Sequence, residues 1–240
     1  MLIELDGVRL LTDPVLRARL AHLRRVAPVD RSALRAAAAI LVSHVHYDHL
    51  DLPSLEQLGR SVPIVVPRGA GALLRRRRFE RVLEVEVGDE VAIGEVTVIA
   101  THAEHRADRG PFGTKAASLG FVVSGSVRAY FAGDTDLFES MSSLGALDGA
   151  LIPIWGWGPD AGAGHLDPRK AALALTRLRP AVAIPVHWGT YRPVHHLSPA
   201  WLTEPPEQFR REAAALAPEV ELRILPPGGT TDLESRISAC

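Results

Sequence analysis

Short runs rich in Val and Ile recur along the whole chain, and each is bounded by Gly, Pro or Asp. Such runs predict β-strands, because β-branched side chains suit a pleated surface and the bounding residues favour turns. Near the N-terminus, Leu2–Leu5 and Val8–Leu11 flank Asp6-Gly7, which predicts a β-hairpin. Further strands are predicted at Ile40–Ser43, Pro63–Val66, Val82–Val87, Val91–Ala100, Leu119–Val123, Val127–Ala132, Gly149–Pro153, Ala181–Val186 and Val220–Leu225.

Leucine and alanine at helical spacing lie between some of these runs, and several such segments begin with Asp, a favoured N-cap. Proline directly after the cap strengthens the signal, because its fixed backbone angle suits the first helical position. Helices are predicted after Asp13 (with Leu16, Leu20 and Leu23 on one face), after Asp51 (with Leu52, Leu55 and Leu58), after Asp167 (over Ala171–Leu178) and over Pro205–Leu216.

The mixture of strands and helices bears on fold class. Consecutive strands are interleaved with helices along all 240 residues, and the chain has neither an internal repeat nor a low-complexity linker. This pattern favours an α/β (α+β) fold in which two sheets are covered by helices. We expect one domain over residues 1–240.

Composition narrows the function classes. Apolar residues make up 47% and charged residues 23%, so wholesale disorder is excluded. A net charge of -1 gives no electrostatic footprint for nucleic acid, so a small-molecule substrate is expected. No apolar run approaches the roughly 20 residues of a membrane span. The single cysteine, Cys240, excludes a disulfide framework within one chain, and a cytoplasmic location is expected. A homo-oligomer stays open.

Metal-binding residue types are concentrated at positions 43–49, which read Ser-His-Val-His-Tyr-Asp-His. The cluster follows an apolar strand, and a loop at a strand end lets ligands converge without disturbing the core. Imidazole nitrogen and carboxylate oxygen suit zinc, and also iron or manganese. In an extended loop His44 and His46 point the same way, whereas Asp48 and His49 follow the turn. The spacing therefore predicts two metal ions rather than one.

Other candidate ligands follow other predicted strands. His102 and His105 come after the run ending at residue 100, Asp134 after the run ending at 132, and His187 after the run ending at 186. Each is weak alone, since a lone Asp after a strand is more often a turn or cap residue. Together with the first cluster they predict one site.

These motifs resemble the metallo-β-lactamase-fold hydrolases, and in particular the branch that contains the N-acyl-phosphatidylethanolamine-hydrolysing phospholipase D and its bacterial relatives. The resemblance implies a four-layer αββα sandwich of two mixed β-sheets flanked by helices, with the site at one edge. The matching strings, in the family's order, are Leu11-Thr12-Asp13-Pro14, Ser43-His44-Val45-His46-Tyr47-Asp48-His49-Leu50-Asp51, Gly133-Asp134-Thr135, His165-Leu166-Asp167-Pro168 and His187-Trp188-Gly189-Thr190.

The resemblance also implies roles. Two divalent metal ions are expected, with zinc first and iron or manganese as alternatives. His105 fits the family's third ligand better than His102, which remains the alternative. His165 is assigned to substrate binding or to proton donation to the leaving group. His44, His46 and His105 are expected to hold the first ion, Asp48, His49 and His187 the second, and Asp134 to bridge them.

The activity implied is hydrolysis of a phosphodiester by a hydroxide shared between the two ions, which Asp48 also orients. A lactonase or other carbonyl-ester hydrolase is the alternative, and an RNA-binding or non-enzymatic metal-binding module a more distant one. Outside the motifs, Arg75–Arg78 is interpreted as a solvated helix face. Trp155, Trp157 and Trp188 are candidates for an apolar pocket wall or for core packing.

Overall fold

Alternating apolar side chains build two mixed β-sheets that pack face to face. The computed structural model describes residues 1–32, 34, 36–110, 113–155, 162–195 and 200–235, apart from the side chain of Trp201. The strands are β1 (Leu2–Leu5), β2 (Val8–Thr12), β3 (Arg19–Leu20), β4 (Leu23–Arg25), β5 (Ala39–Leu41), β6 (Ile64–Pro67), β7 (Val82–Val85), β8 (Glu90–Ile93), β9 (Val96–His102), β10 (Ala107–Asp108), β11 (Lys115–Ala116), β12 (Leu119–Ser124), β13 (Arg128–Phe131), β14 (Gly149–Pro153), β15 (Val182–Val186), β16 (Tyr191–Pro193) and β17 (Glu221–Leu222). The helices are α1 (Leu52–Leu58), α2 (Gly71–Arg75), α3 (Pro168–Leu178) and α4 (Ala200–Leu216), and a 3₁₀ helix spans Glu139–Leu144.

The first sheet has the strand order β1-β2-β5-β6-β7. Its first two strands form the predicted hairpin, in which Asp6 (φ 50°) and Gly7 (φ 75°) make a left-handed turn. The remaining neighbours pair in parallel, which makes the sheet mixed.

The second sheet has the order β17-β15-β14-β13-β12-β9-β8. In this sheet the neighbours β13 and β14, β14 and β15, and β15 and β17 pair in parallel. Strand β12 pairs antiparallel with both β13 and β9. It follows that β9, β13 and β15 all run in one direction, so their carboxyl ends meet at one edge of this sheet. Two small sheets, β16-β4-β3 and β10-β11, lie outside the sandwich.

Three apolar layers separate the four layers of secondary structure. Alternation with period two sends neighbouring side chains of one strand to opposite faces. In β5, Leu41 belongs to the core between the sheets, and Ile40 belongs to the core under α1 and α2. In β13, Phe131 faces the first sheet and Tyr130 packs with α3 and α4. The expected αββα sandwich is confirmed.

The predicted helix after Asp13 is wrong. The segment forms the short antiparallel pair β3–β4, and Leu20 and Leu23 pack with Tyr191 rather than on a helix face. An N-cap residue needs extended backbone, but Asp13 has a φ of 41°. Its carboxylate is bound by Ser43 instead, so tertiary contacts override the local cap signal.

The other helix predictions hold, with shifted ends. Asp51 and Asp167 cap α1 and α3 through backbone N–H groups three residues on. Helix α4 begins five residues before Pro205, which lies inside it. Arg75 ends α2, and Arg78 has a left-handed φ of 62°, so the four arginines do not form one helix face.

In the described part of the chain, no helix combines the length and apolarity that a membrane crossing requires. Trp157 and Cys240 lie outside the described residues.

Candidate metal centre

Four loops at strand ends converge on one cluster of imidazoles and carboxylates. Residues 44–49 follow β5, His105 follows β9, Asp134 follows β13, and His187 directly follows β15. Because these strands end at the same edge of the sandwich, side chains distant in sequence meet there. The structure thereby brings together all seven residues expected from the sequence to bind metal: His44, His46, Asp48, His49, His105, Asp134 and His187.

Three imidazoles form the first group, in which His46 Nδ1 lies 3.1 Å from His44 Nε2 and 3.2 Å from His105 Nε2. Nitrogens bound at 2.0–2.1 Å in a tetrahedral site are about 3.3 Å apart, so this spacing fits one zinc-sized ion. Burial lowers the pKa of all three rings, which favours the neutral form that binds metal. His102 is 45% exposed and pairs with Glu104 outside the group.

The second group contains Asp48, His49 and His187. Asp48 Oδ2 lies 3.7 Å from Nε2 of each of the two histidines. Asp134 stands between the groups, with Oδ2 3.1 Å from His49 Nε2 and 3.9 Å from His44 Nε2, and with Oδ1 3.7 Å from His187 Nε2. Its carboxylate can therefore serve both groups.

Two backbone carbonyls fix the orientation of ligand rings. His105 Nδ1 donates to Gly164 O at 2.7 Å, and His187 Nδ1 donates to Trp155 O at 2.7 Å. A carbonyl oxygen only accepts, so each Nδ1 carries a proton and each Nε2 is turned towards the cluster. A histidine that binds metal through one nitrogen characteristically donates a hydrogen bond through the other.

Asp13 orients two histidine rings of the first loop, His49 directly and His44 through Ser43. Its Oδ2 lies 2.7 Å from His49 Nδ1 and accepts from Ser43 Oγ at 2.5 Å, while its Oδ1 accepts from Ser43 N at 2.7 Å. Since Ser43 Oγ donates to the carboxylate, it accepts from His44 Nδ1 at 2.9 Å. The Nε2 atoms of both histidines therefore face inward.

The electrostatics of the second group favour positive charge at its centre. Burial lowers the pKa of His49 and of His187, but Asp134 and Asp48 outweigh it and raise both pKa values. Burial also opposes ionisation of Asp134, yet His187 and His49 hold its pKa well below its usual range. His49 Nε2 is buried and lies 3.1 Å from Asp134 Oδ2, but within the described residues no partner has the geometry of a hydrogen bond to it. A divalent cation would satisfy this atom and both carboxylates, so the donor set fits a metal.

At the candidate metal centre the two sheets approach so closely that they restrict the residue type and backbone conformation. Gly133 has a φ of 62°, and a Cβ there would lie 2.6 Å from Ser43 Cβ, so only glycine fits. Leu119 N donates to Ser43 O at 2.9 Å across the same contact. His187 has a φ of 63°, an unfavourable conformation for a residue with a side chain, of the kind that clusters at functional sites.

His165 lies beside the centre. Its Nε2 is 3.6 Å from Asp134 Oδ2, its ring packs edge-on against His105 at 4.6 Å, and 24% of its side chain is exposed. Trp188 packs against the core and donates to Pro185 O, which favours the core interpretation for this residue.

Sequence reasoning missed Arg109. Its Nη1 donates to Val45 O at 2.8 Å and to Leu50 O at 2.9 Å, so it binds the backbone at both ends of the loop that contains His46, Asp48 and His49. Its guanidinium group also lies 4.1 Å above the Tyr47 ring. Backbone carbonyls leave no mark in the sequence, so no signal pointed to this contact.

Residues 8–188 match the family model described as β-lactamase superfamily domain. An uncharacterized protein of Mycobacterium tuberculosis is 35% identical over 254 residues, which cover 96% of this chain and 66% of that protein. This chain therefore spans 66% of the length of that relative.

A second relative and one solved structure match over nearly their whole length. A UPF0173 metal-dependent hydrolase of Methanopyrus kandleri is 31% identical, with 94% of this chain and 93% of that protein covered. The solved structure of Igni18, a metallo hydrolase of Ignicoccus hospitalis, has a TM-score of 0.71 at 22% identity and covers 96% of this chain and 92% of that one. The phospholipase D branch stays a prediction. The superfamily resemblance is confirmed, because the family match spans most of the chain, and this chain belongs to the β-lactamase superfamily domain family.

Proposed function

We propose that this chain is a dinuclear metal-dependent hydrolase and that its substrate is a small molecule with a phosphodiester bond. One observation carries the proposal, namely the convergence of five imidazoles and two carboxylates in two adjoining groups. The names of two relatives support hydrolysis, because each is described as a metal-dependent or metallo hydrolase.

The two groups suggest how the ions are shared. His44, His46 and His105 would hold one ion, and Asp48, His49 and His187 the other, with Asp134 between them. Zinc suits this nitrogen-rich set, and iron or manganese is an alternative. When bound, such ions lower the pKa of water towards neutrality and stabilise negative charge on a substrate oxygen.

The chain's own residues orient the reactants. Asp48 has 22% of its side chain exposed, so its carboxylate can accept a hydrogen bond from the attacking water and direct it. His165 is also part-exposed beside Asp134, so it can hold the substrate or donate a proton to the leaving group. Asp13 holds His49 and Ser43, which keeps the first loop in the conformation that presents its ligands.

The experiment combines elemental analysis of the purified protein with a substrate panel. We expect about two metal equivalents per chain and turnover of bis-p-nitrophenyl phosphate. In Asp134→Ala the turnover should be lost and the bound metal should fall. Turnover of lactones alone would replace the phosphodiester substrate by a carbonyl ester. Absence of both activities from metal-loaded protein would contradict the hydrolase proposal.

A further inference from the structure

We propose that Asp136 and Lys170 are a positioning pair that holds Gly164 against His105 and thereby fixes this imidazole at the metal centre. The inference rests on the proposed function, because it assigns a role to residues that touch neither metal nor substrate. The pair connects helix α3 to His105, which belongs to the first metal-binding group.

An unbroken series of hydrogen bonds joins α3 to the His105 ring. Lys170 Nζ donates to both carboxylate oxygens of Asp136, at 2.8 and 2.9 Å. Asp136 Oδ2 accepts from Gly164 N at 3.1 Å, and Gly164 O accepts from His105 Nδ1 at 2.7 Å. Lys170 Nζ also lies 3.4 Å from His165 O, so the pair holds the neighbouring histidine segment as well.

Helix formation does not explain Lys170. It is the third residue of α3, and its backbone N–H is already bound by the capping carboxylate of Asp167 at 2.7 Å. A positive side chain in the first turn is unfavourable, because the helix dipole places partial positive charge there. The same cost applies to Arg169, so the contacts of Lys170 are what distinguish it: its ammonium group donates to both carboxylate oxygens of Asp136.

Asp136 is itself held from a second side. Its backbone N donates to Glu104 O at 2.8 Å, and Glu104 N donates to Thr135 Oγ1 at 2.9 Å. The segment that ends at His105 is therefore bound by the backbone of residue 136 and, through Gly164, by its side chain. Ligand orientation of this kind is what partners beyond the metal-binding residues provide.

Gly164 allows the contact. It has a φ of +85°, and a Cβ at this position would lie 3.2 Å from His105 Nδ1. A larger residue would push the imidazole away from the carbonyl that orients it. Gly164 and the Asp136–Lys170 ion pair therefore both support the hydrogen bond between Gly164 O and His105 Nδ1.

The test uses the full chain with Lys170→Met, Asp136→Asn and the double variant. Arg169→Met is the matched control, because it removes the same charge from the preceding residue of α3 and breaks an exposed ion pair with Glu212. Zinc affinity is measured by competition with a chromophoric chelator, and the protonation of His105 in metal-free protein by long-range ¹H–¹⁵N NMR. We expect zinc affinity at one of two sites to fall about tenfold in each single variant. The double variant should be no weaker than either single one, and Arg169→Met should stay within twofold.

The NMR measurement separates positioning from general damage. In the unmodified metal-free protein we expect His105 to carry its proton on Nδ1, and in both single variants to exchange between the two tautomers. Unchanged zinc affinity together with an unchanged tautomer would overturn the inference and leave the metal centre standing. Weaker zinc binding with a lower melting temperature but an unchanged tautomer would also overturn it. If the unmodified protein bound no zinc, the proposed function would fall, and the tautomer comparison would still test the pair.

Discussion

Asp13→Asn removes one charge from the network behind the metal centre and changes little else. Only 7% of the Asp13 side chain is exposed, and its carboxylate contacts both Ser43 and His49. Asparagine has nearly the same size and tolerates the left-handed backbone that residue 13 adopts. Its amide oxygen can still accept from Ser43 N. Its amide NH₂ group, however, is a donor and would face Ser43 Oγ and His49 Nδ1, which are donors as well.

The magnitude follows from the lost contacts. Hydrogen bonds to a charged group contribute about 1.5–3 kcal/mol each, and one or two of them are lost, so the free energy of unfolding should fall by about 1.5–6 kcal/mol. For a chain of 150–250 residues each kcal/mol lowers the melting temperature by about 2–4 °C. The expected shift is therefore about 3–24 °C. Losing the partner of His49 should also weaken metal binding by about 10–100-fold.

Asp6→Asn is the matched control. Asp6 also has a left-handed φ, and its carboxylate accepts from Ser126 N and Ser126 Oγ, which repeats the serine contacts of Asp13. It is exposed, however, and within the described residues its carboxylate contacts Ser126 and no histidine. Chelator competition and thermal unfolding of both variants should show a large effect for Asp13 only. Zinc affinity of Asp13→Asn within twofold of the unmodified protein would refute the reasoning that orientation of His49 matters.

Five other substitutions test the remaining assignments. Asp134→Ala and His187→Ala should each abolish hydrolysis and lower bound metal below that of unmodified protein, and full activity in both would contradict the site. His165→Ala should reduce turnover several-fold with metal content unchanged, as measured by steady-state kinetics with elemental analysis; unchanged kinetics would remove His165 from the mechanism. His105→Ala should lose about one metal equivalent whereas His102→Ala should lose none, and the reverse result would exchange their roles.

The sequence is informative about the candidate site because its side chains carry the chemistry. His44 and His187 each follow an apolar run, and a run that ends in a metal-binding residue indicates a strand pointing at a site. Within the second sheet, the ends of β9, β13 and β15 are expected to meet because these strands run in one direction. The approach of β5, which belongs to the first sheet, follows only from the packing of the two sheets. Choosing between His102 and His105 needed more than the runs themselves, since the strand β9 continues through His102 and turns its side chain outward.

The segment after Asp13 shows why local patterns can fail. Leu16, Leu20 and Leu23 have helical spacing, yet the pair β3–β4 buries Leu20 and Leu23 against Tyr191, far along the chain. The carboxylate that would cap a helix is bound to Ser43 and His49. Contacts between residues distant in sequence decided the conformation, and no short window of sequence contains them.

The partners that orient the ligands were hidden for a different reason. Gly164 and Trp155 act through their carbonyl groups, which every residue possesses, so the residue type conveys nothing about the role. Asp136 and Lys170 are informative types, but they are separated by 34 residues and meet only in the folded chain. Such contacts become visible once the fold sets the loops side by side.

The charge of the ligand set bears on the choice of substrate. Burial lowers the pKa of His44, His46 and His105, which favours their neutral form, and the negative charge within the two proposed metal-binding groups comes from Asp48 and Asp134. Two divalent ions would bring four positive charges, of which these two carboxylates would balance half. Water ionised at the site and an anionic substrate would supply the rest. A phosphodiester carries that charge before reaction, whereas a neutral lactone acquires it only as the transition state forms. This charge difference is the reason for proposing a phosphodiester rather than a lactone, and the substrate panel tests it.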